Sequence, residues 1–173
     1  MILSDKDIKL SINKGELLIS PLSDDTIREN GVDLRIGDEI LRFIYNKEAV
    51  DINDKSILEK IYIKEKVDDS FVIFPQERVL IKISENIKMP NNLVGMCNVR
   101  STFARLGLSI PPTIVDAGYE GNLTIMMIGG NIPVKISKGM RFLHLVFSKT
   151  LNEVQKPYSG HYNKSSGVTG AKV

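Results

Sequence analysis

The sequence predicts a mostly β chain, an antiparallel barrel or sandwich preceded by one short N-terminal helix. Three observations lead there. From residue 17 to residue 147 short apolar or alternating runs recur, each broken by turn residues. Strands do not alternate with long helical patterns, as a Rossmann-type sheet would require. No internal repeat or shift in composition marks a second domain.

Taken in order, residues 4–14 read as an amphipathic helix. Ser4 serves as its N-cap, Asp7 as the reciprocal capping residue, Ile8 and Ile12 share one face, and Gly15 stops it. The strands follow at Leu17–Ile19, Val32–Ile36, Ile40–Tyr45, Phe71–Phe74, Val79–Ile83, Leu93–Val99, Leu123–Ile128, Val134–Ile136 and Phe142–Phe147. Pro75-Gln-Glu77 and Met89-Pro-Asn-Asn92 read as turns between them. The charged stretch Asp51–Asp69 reads as a solvated insertion around a strand at Ile61–Ile63 and suggests no function. Asp33 falls opposite Val32, Leu34 and Ile36 in the alternation, so on its own it reads as an exposed polar residue of a strand. Residues 1–148 form the predicted β domain, and the polar, glycine- and serine-rich segment 149–173 its flexible tail.

A chain of 173 residues can bury about two thirds of its unfolded surface, enough for a core without staples. Its net charge of +2 is too balanced to hold nucleic acid by charge alone. Cys97 is the only cysteine and lies in an apolar run, which reads as a buried, inert thiol. No signal-peptide pattern and no membrane-length apolar run is visible, so a cytoplasmic location is expected. With two histidines, one cysteine and no His-x-Glu or Pro-Cys-x-x-Cys pattern, the zinc site of metal-dependent nucleobase deaminases cannot be built.

Two segments carry chemistry. Asn98–Gly107 presents Arg100, Ser101 and Arg105 within one short turn, a hydroxyl between two guanidinium groups. Arginine forks match phosphate oxygens, and a Ser101 cap would leave a helical turn's N–H groups facing an anion. Ile114–Gly121 places the carboxylate of Asp116 beside a glycine turn, a candidate for the base that activates water. Each segment alone also fits an ordinary cap or hairpin turn.

Together they resemble a known family. Met1-Ile-Leu-Ser-Asp-Lys-Asp-Ile8, Asn30-Gly-Val-Asp-Leu-Arg-Ile-Gly37, Arg100-Ser-Thr-Phe-Ala-Arg-Leu-Gly-Leu108, Asp116-Ala-Gly-Tyr-Glu-Gly121 and Lys138-Gly-Met-Arg-Phe-Leu-His-Leu-Val-Phe147 occur in the order found in the dUTPase and dCTP deaminase superfamily. The resemblance is to its dCTP-deaminase-like branch. It implies a distorted antiparallel β-barrel, jelly-roll-like, of the dUTPase (β-clip) type, and a homotrimer with active sites shared between subunits. It implies that Arg100, Ser101, Thr102 and Arg105 hold a triphosphate, with Mg²⁺ bound mainly through the phosphates. Asp33 would support that region, Asp116 orient water, and Tyr119 lie under the deoxyribose. The hairpin backbone at residues 122–126, including Thr124 and Met126, would read a pyrimidine edge. A tail carrying Tyr158 and Ser165 would fold over the nucleotide. His144 stands where the family often has glutamine near the phosphates.

The deaminases of the family use a glutamate five residues after the glycine that ends the Asp–Gly hairpin. Here Met126 occupies that place, and a thioether neither takes nor gives a proton. Glu120, in the turn, is expected to face solvent. Thr113 and Ile114 stand where those deaminases often carry histidine and arginine. The resemblance therefore implies dUTP hydrolysis to dUMP and pyrophosphate, with a dCTP deaminase, monofunctional or bifunctional, or a catalytically silent nucleotide-binding relative as the alternatives.

Overall fold

The computed structural model describes residues 1–173. Its elements run α1 (Asp5–Asn13), β1 (Leu18–Ser20), β2 (Ile27–Arg28), β3 (Gly31–Phe43), α2 (Lys55–Leu58), β4 (Tyr62–Lys66), β5 (Ser70–Ile73), β6 (Arg78–Ile83), β7 (Asn86–Lys88), β8 (Leu93–Val99), α3 (Ser101–Arg105), β9 (Thr113–Val115), β10 (Glu120–Gly121), β11 (Thr124–Ile128), β12 (Val134–Ser137) and β13 (Arg141–Lys149). The expected mostly β architecture is present. Strand pairs are antiparallel, and the main sheet runs β11-β6-β3-β13-β8-β9 with β2 and β4 added on β3. Two smaller sheets, β1-β7-β10 and β12-β5, complete a curled half-barrel.

The helix forms as its sequence dictates. Ser4 accepts from Asp7 N–H, Asp7 accepts in return from Ser4 N–H at 3.1 Å, and Ile8 is fully buried. The two strands predicted at Val32–Ile36 and Ile40–Tyr45 are one, β3, with a register shift between Ile36 and Ile40. That irregularity is how one strand serves two neighbours: Val32–Arg35 pairs with β13, and Ile40–Arg42 with β6. The elements without a sequence signal, α2, β2, β7, β9 and β10, hold two to four residues each, too short for a period to register.

Alternation then assigns the faces. Ile40, Ile81 and Ile125, from β3, β6 and β11, point into a core completed by Phe142, Leu145 and Phe147. Burying each such side chain stabilises the fold by about 1.5–3 kcal/mol. Cys97 lies in this core, and burial pushes its thiol up to about 12, an inert group as expected. No helix is long and apolar enough to cross a membrane.

Candidate active site

Strand β8 leaves the core at Val99, and the chain turns directly into the five-residue α3. Arg100, not Ser101, is the N-cap, and it makes no side-chain cap bond. The expected Ser101 cap is thus corrected: α3 starts one residue early because Arg100 N–H is held by Phe142 O at 2.8 Å on β13. Ser101 and Thr102 are left exposed on the first turn, their hydroxyls without a partner in the chain.

Asp33 corrects a second expectation. It is buried, 4% exposed at the side chain, because β13 and the β8–α3 junction bring two guanidinium groups and an imidazole onto it. Arg100 Nε lies 3.0 Å from Oδ2, Arg141 Nη1 3.4 Å from the same oxygen, and His144 Nδ1 2.9 Å from Oδ1. Arg141 is bonded in turn to Asp25, which pairs with Arg35, so the network reaches across the sheet edge. Burying this carboxylate would be costly without such partners. Asp33, Arg100, Ser101 and His144 line one polar pocket of about 310 Å³, with Arg28 and Glu29 at its rim.

Asp116 lies elsewhere. It follows β9 and opens the turn Asp116–Tyr119, in which Tyr119 N–H donates to Asp116 O at 3.1 Å and Gly118 takes φ +82°. A positive φ at that position is what a type II turn asks of glycine. The Asp116 carboxylate is exposed and has no ion-pair or hydrogen-bond partner. Beside it Tyr119 is buried, donates its hydroxyl to Asn122 O at 3.0 Å, and packs 5.8 Å from the ring of Tyr158. Burial, with the neighbouring Tyr158, raises the Tyr119 pKa, so its hydroxyl stays protonated and remains a donor.

Asp116, Tyr119, Thr124, Met126, Tyr158 and Ser165 line one cavity of about 430 Å³. Asp116 is the only carboxylate on its wall. Glu120 is outside, paired with Lys88 at 3.7 Å. The tail reaches the cavity through its backbone: Tyr158 N–H donates to Ala117 O at 2.9 Å and Asn122 N–H to Ser165 O at 2.8 Å. Strand β11 is an edge of the main sheet, so one side of its backbone at Thr124–Met126 is free to meet a ligand.

Within one chain the structure therefore gathers the sequence-predicted residues into two groups that line different pockets. Thr102 and Arg105 join neither: both are exposed, and Arg105 has no ion pair. Sequence reasoning missed Arg141 and Asn98 at the polar pocket, and Tyr62, Leu80 and Thr169 at the cavity. No three His, Cys, Asp or Glu side chains converge into a metal cage. A Mg²⁺ ion bound mainly through substrate phosphates and water requires no such cage.

Comparison with known proteins bears on both groups. The family profile described as dCTP deaminase-like matches residues 2–150. A probable deoxyuridine 5′-triphosphate nucleotidohydrolase of Sulfolobus islandicus rod-shaped virus 1 is 55% identical over 172 residues, 99% of either chain. A dCTP deaminase of Acidianus ambivalens is 50% identical over 169 residues, 98% of this chain and 96% of that one. Among solved structures, the 2′-deoxycytidine 5′-triphosphate deaminase of Agrobacterium tumefaciens superposes with a TM-score of 0.67 at 18% identity, over 84% of this chain and 46% of that longer one. A dUTPase of Staphylococcus bacteriophage 80alpha, solved as a point mutant with dUpNHpp, superposes at 0.53 and 18% identity over 83% and 91%.

Proposed function

The chain belongs to the dCTP deaminase-like family, and from that premise we propose that it is a dUTP diphosphatase, releasing dUMP and pyrophosphate. The observation that carries this reading is the wall of the 430 Å³ cavity, where Asp116 is the lone carboxylate and Met126 faces the ligand space. Deamination at a cytosine ring needs a group that moves a proton there, and a thioether cannot. Hydrolysis of an α–β phosphoanhydride needs one base for water and cations for the phosphates.

In this mechanism Asp116 accepts the proton of the water that attacks the α-phosphorus. The new P–O bond forms as the bond to the β-phosphate oxygen breaks, and pyrophosphate leaves. Arg100, held by Asp33, with Ser101, Thr102, Arg105 and His144, binds the departing phosphates. Bound Mg²⁺, held mainly by the nucleotide rather than by residues of the chain, would supply further neutralisation of phosphate charge. Tyr119 packs under the deoxyribose, and the free backbone edge at Thr124–Met126 pairs with the uracil edge. Tyr158 and Ser165 close the cavity from the tail.

The phosphate group and the cavity line separate pockets in one chain, and this supports a site completed by a second copy. The proposed assembly is a homotrimer in which one subunit's Arg100 face meets its neighbour's cavity. Ile114, 62% exposed on β9 beside the cavity, fits a surface covered on assembly. The runner-up is dCTP deamination, the activity named for Acidianus ambivalens and other relatives.

The test is product analysis by anion-exchange chromatography after incubation with dUTP, and separately with dCTP, in Mg²⁺, for the wild type and Asp116→Asn. Expected are dUMP and pyrophosphate from dUTP alone, with a rate lower by about 10²–10⁴-fold in the variant. Deoxyuridine nucleotides formed from dCTP would reject the reading and require a proton shuttle other than a residue at position 126.

A further inference from the structure

The segment Asp51–Asp69, which the sequence left without a role, delivers one residue to the cavity wall: Tyr62, the first residue of β4. Cross-strand partners share a face of a sheet. Tyr62 pairs with Phe43, Lys64 with Leu41, Leu41 with Leu80, and Leu80 with Met126, so these side chains form one outer face opposite the core. Leu41 and Leu80 on that face are only 7% and 8% exposed although they stand outside the main hydrophobic core. Residues 168–171 of the tail cover this face.

The tail is held there by three side-chain acceptors from three strands. Val168 N–H donates to Glu39 Oε2 at 2.9 Å, Thr169 N–H to Thr124 Oγ1 at 3.0 Å, and Ala171 N–H to the Tyr62 hydroxyl at 3.2 Å. The Tyr62 ring also lies against Gly170: a methyl on Gly170 would lie 2.5 Å from Tyr62 Cε2. Phe43, its ring centroid 5.0 Å away at a tilt of 58°, also packs on Tyr62. A second space of about 420 Å³ lies beyond this wall, and Tyr62, Gly170 and Ala171 line both spaces. The tyrosine ring and the two tail residues are therefore the partition between them.

We propose that Tyr62 is a specificity-determining residue: it anchors the tail over the cavity and, as the partition, limits the ligand to a pyrimidine-sized base. Removing the ring joins the two spaces and admits a purine. The proposal rests on the reading that the cavity takes a deoxynucleoside triphosphate, and its test separates the two. In Tyr62→Ala, tryptic cleavage after Lys164, followed by mass spectrometry on the ligand-free protein, is expected to speed up about tenfold, since cleavage follows the open population. The ratio of kcat/KM for dATP to that for dUTP is expected to rise about tenfold or more. Tyr62→Phe, which keeps the ring and loses the hydroxyl, is expected to loosen the tail and keep the discrimination.

Gly170→Ala supplies the second arm. Its methyl meets the Tyr62 ring, so it should free the tail in the wild-type background and add nothing in the Tyr62→Ala background. Equal cleavage rates in wild type and Tyr62→Ala overturn the proposal. So does a freed tail with an unchanged dATP:dUTP ratio, or a Gly170→Ala effect that survives removal of the ring. If no protein turns over any nucleotide, the hydrolase reading has failed. Thermal-shift titrations with dUTP and dATP then read the same discrimination as binding.

Discussion

The polar pocket around Asp33 and the cavity around Asp116 are built in opposite ways. The first is held from inside: its carboxylate is buried, its partners Arg100, Arg141 and His144 come from β13 and the β8–α3 junction, and each strand concerned is packed on both neighbours. The second is open-sided. Asp116 and the edge of β11 stand on the sheet, but the roof is the last stretch of the chain, fixed by a few main-chain N–H groups on side-chain acceptors. The proposed phosphate clamp gains from rigidity, because pre-oriented cations need no reorganisation when charge shifts. On the proposed reading the cavity admits and releases a nucleotide, which needs a wall of low local stability.

The largest expected effect strikes the rigid half. Asp33→Ala would leave Arg100, Arg141 and His144 facing one another without their anion. Breaking a buried ion pair costs about 3–5 kcal/mol, and the partly exposed partners place this one near 3. Urea unfolding measures that loss, and turnover of dUTP should fall with it. A variant as stable as the wild type would erase the contrast between the two halves. Deleting residues 161–173 is expected to do the reverse, lowering kcat/KM about tenfold or more while costing only about 1–2 kcal/mol, since it re-exposes Leu41 and Leu80 in part and so forfeits only a fraction of the roughly 1.5–3 kcal/mol that full burial of each supplies. Unfolding of the truncated chain at ordinary temperature would show that the tail belongs to the core.

Glu85 gives a smaller, pH-dependent contrast. It is buried beside Arg35, accepting Arg35 N–H at 3.0 Å, and its main-chain oxygen accepts from Asn122 Nδ2 at 2.7 Å on the cavity wall. Burial raises its pKa, outweighing the backbone and Arg35 contacts that lower it. The folded state then holds the proton more tightly than the unfolded chain. That contribution is fully present below the ordinary glutamate pKa and is lost as pH rises through the raised value. Melting temperatures of the wild type and Glu85→Gln, compared between roughly pH 4 and 7, should show the wild type losing stability relative to the variant as pH rises. Parallel curves would mean that the charged form is fully compensated in the fold.

The rigid half was also the more legible in sequence. The capping box at Ser4, the strands of the core and the segment Arg100–Leu108 all announce themselves through local spacing. What local spacing could not show was partnership. Asp33 sits on the polar phase of its strand and reads as exposed, yet Arg141 and His144, more than a hundred positions away, cover it. Ser101 reads as a cap until Phe142 O takes the preceding N–H and shifts the helix start. Tyr62 carried no signal at all, because its meaning comes from a glycine at position 170 that only the folded tail brings near. Long-range pairing decides such residues, and one sequence does not display it.

Glu39 offers the finest test of the open half. It is the one ionisable acceptor of the three that hold the tail whose charge changes in mild acid, and it is also paired with Lys64 at 2.6 Å. Burial raises its pKa, but the Lys64 ammonium and Val168 N–H outweigh burial, and the net shift is downward. The stabilisation is present above the ordinary glutamate pKa and is lost as pH falls through the lowered value. Hydrogen exchange at the amide of Val168 should therefore gain amplitude in acid beyond its intrinsic rate. Glu39→Gln, which still accepts but carries no charge, should show at neutral pH an opening larger by about two- to fivefold, the size of an exposed ion pair. An unchanged amide in that variant would mean that Thr124 and Tyr62 hold the tail without help, and that the charge on Glu39 serves Lys64 alone.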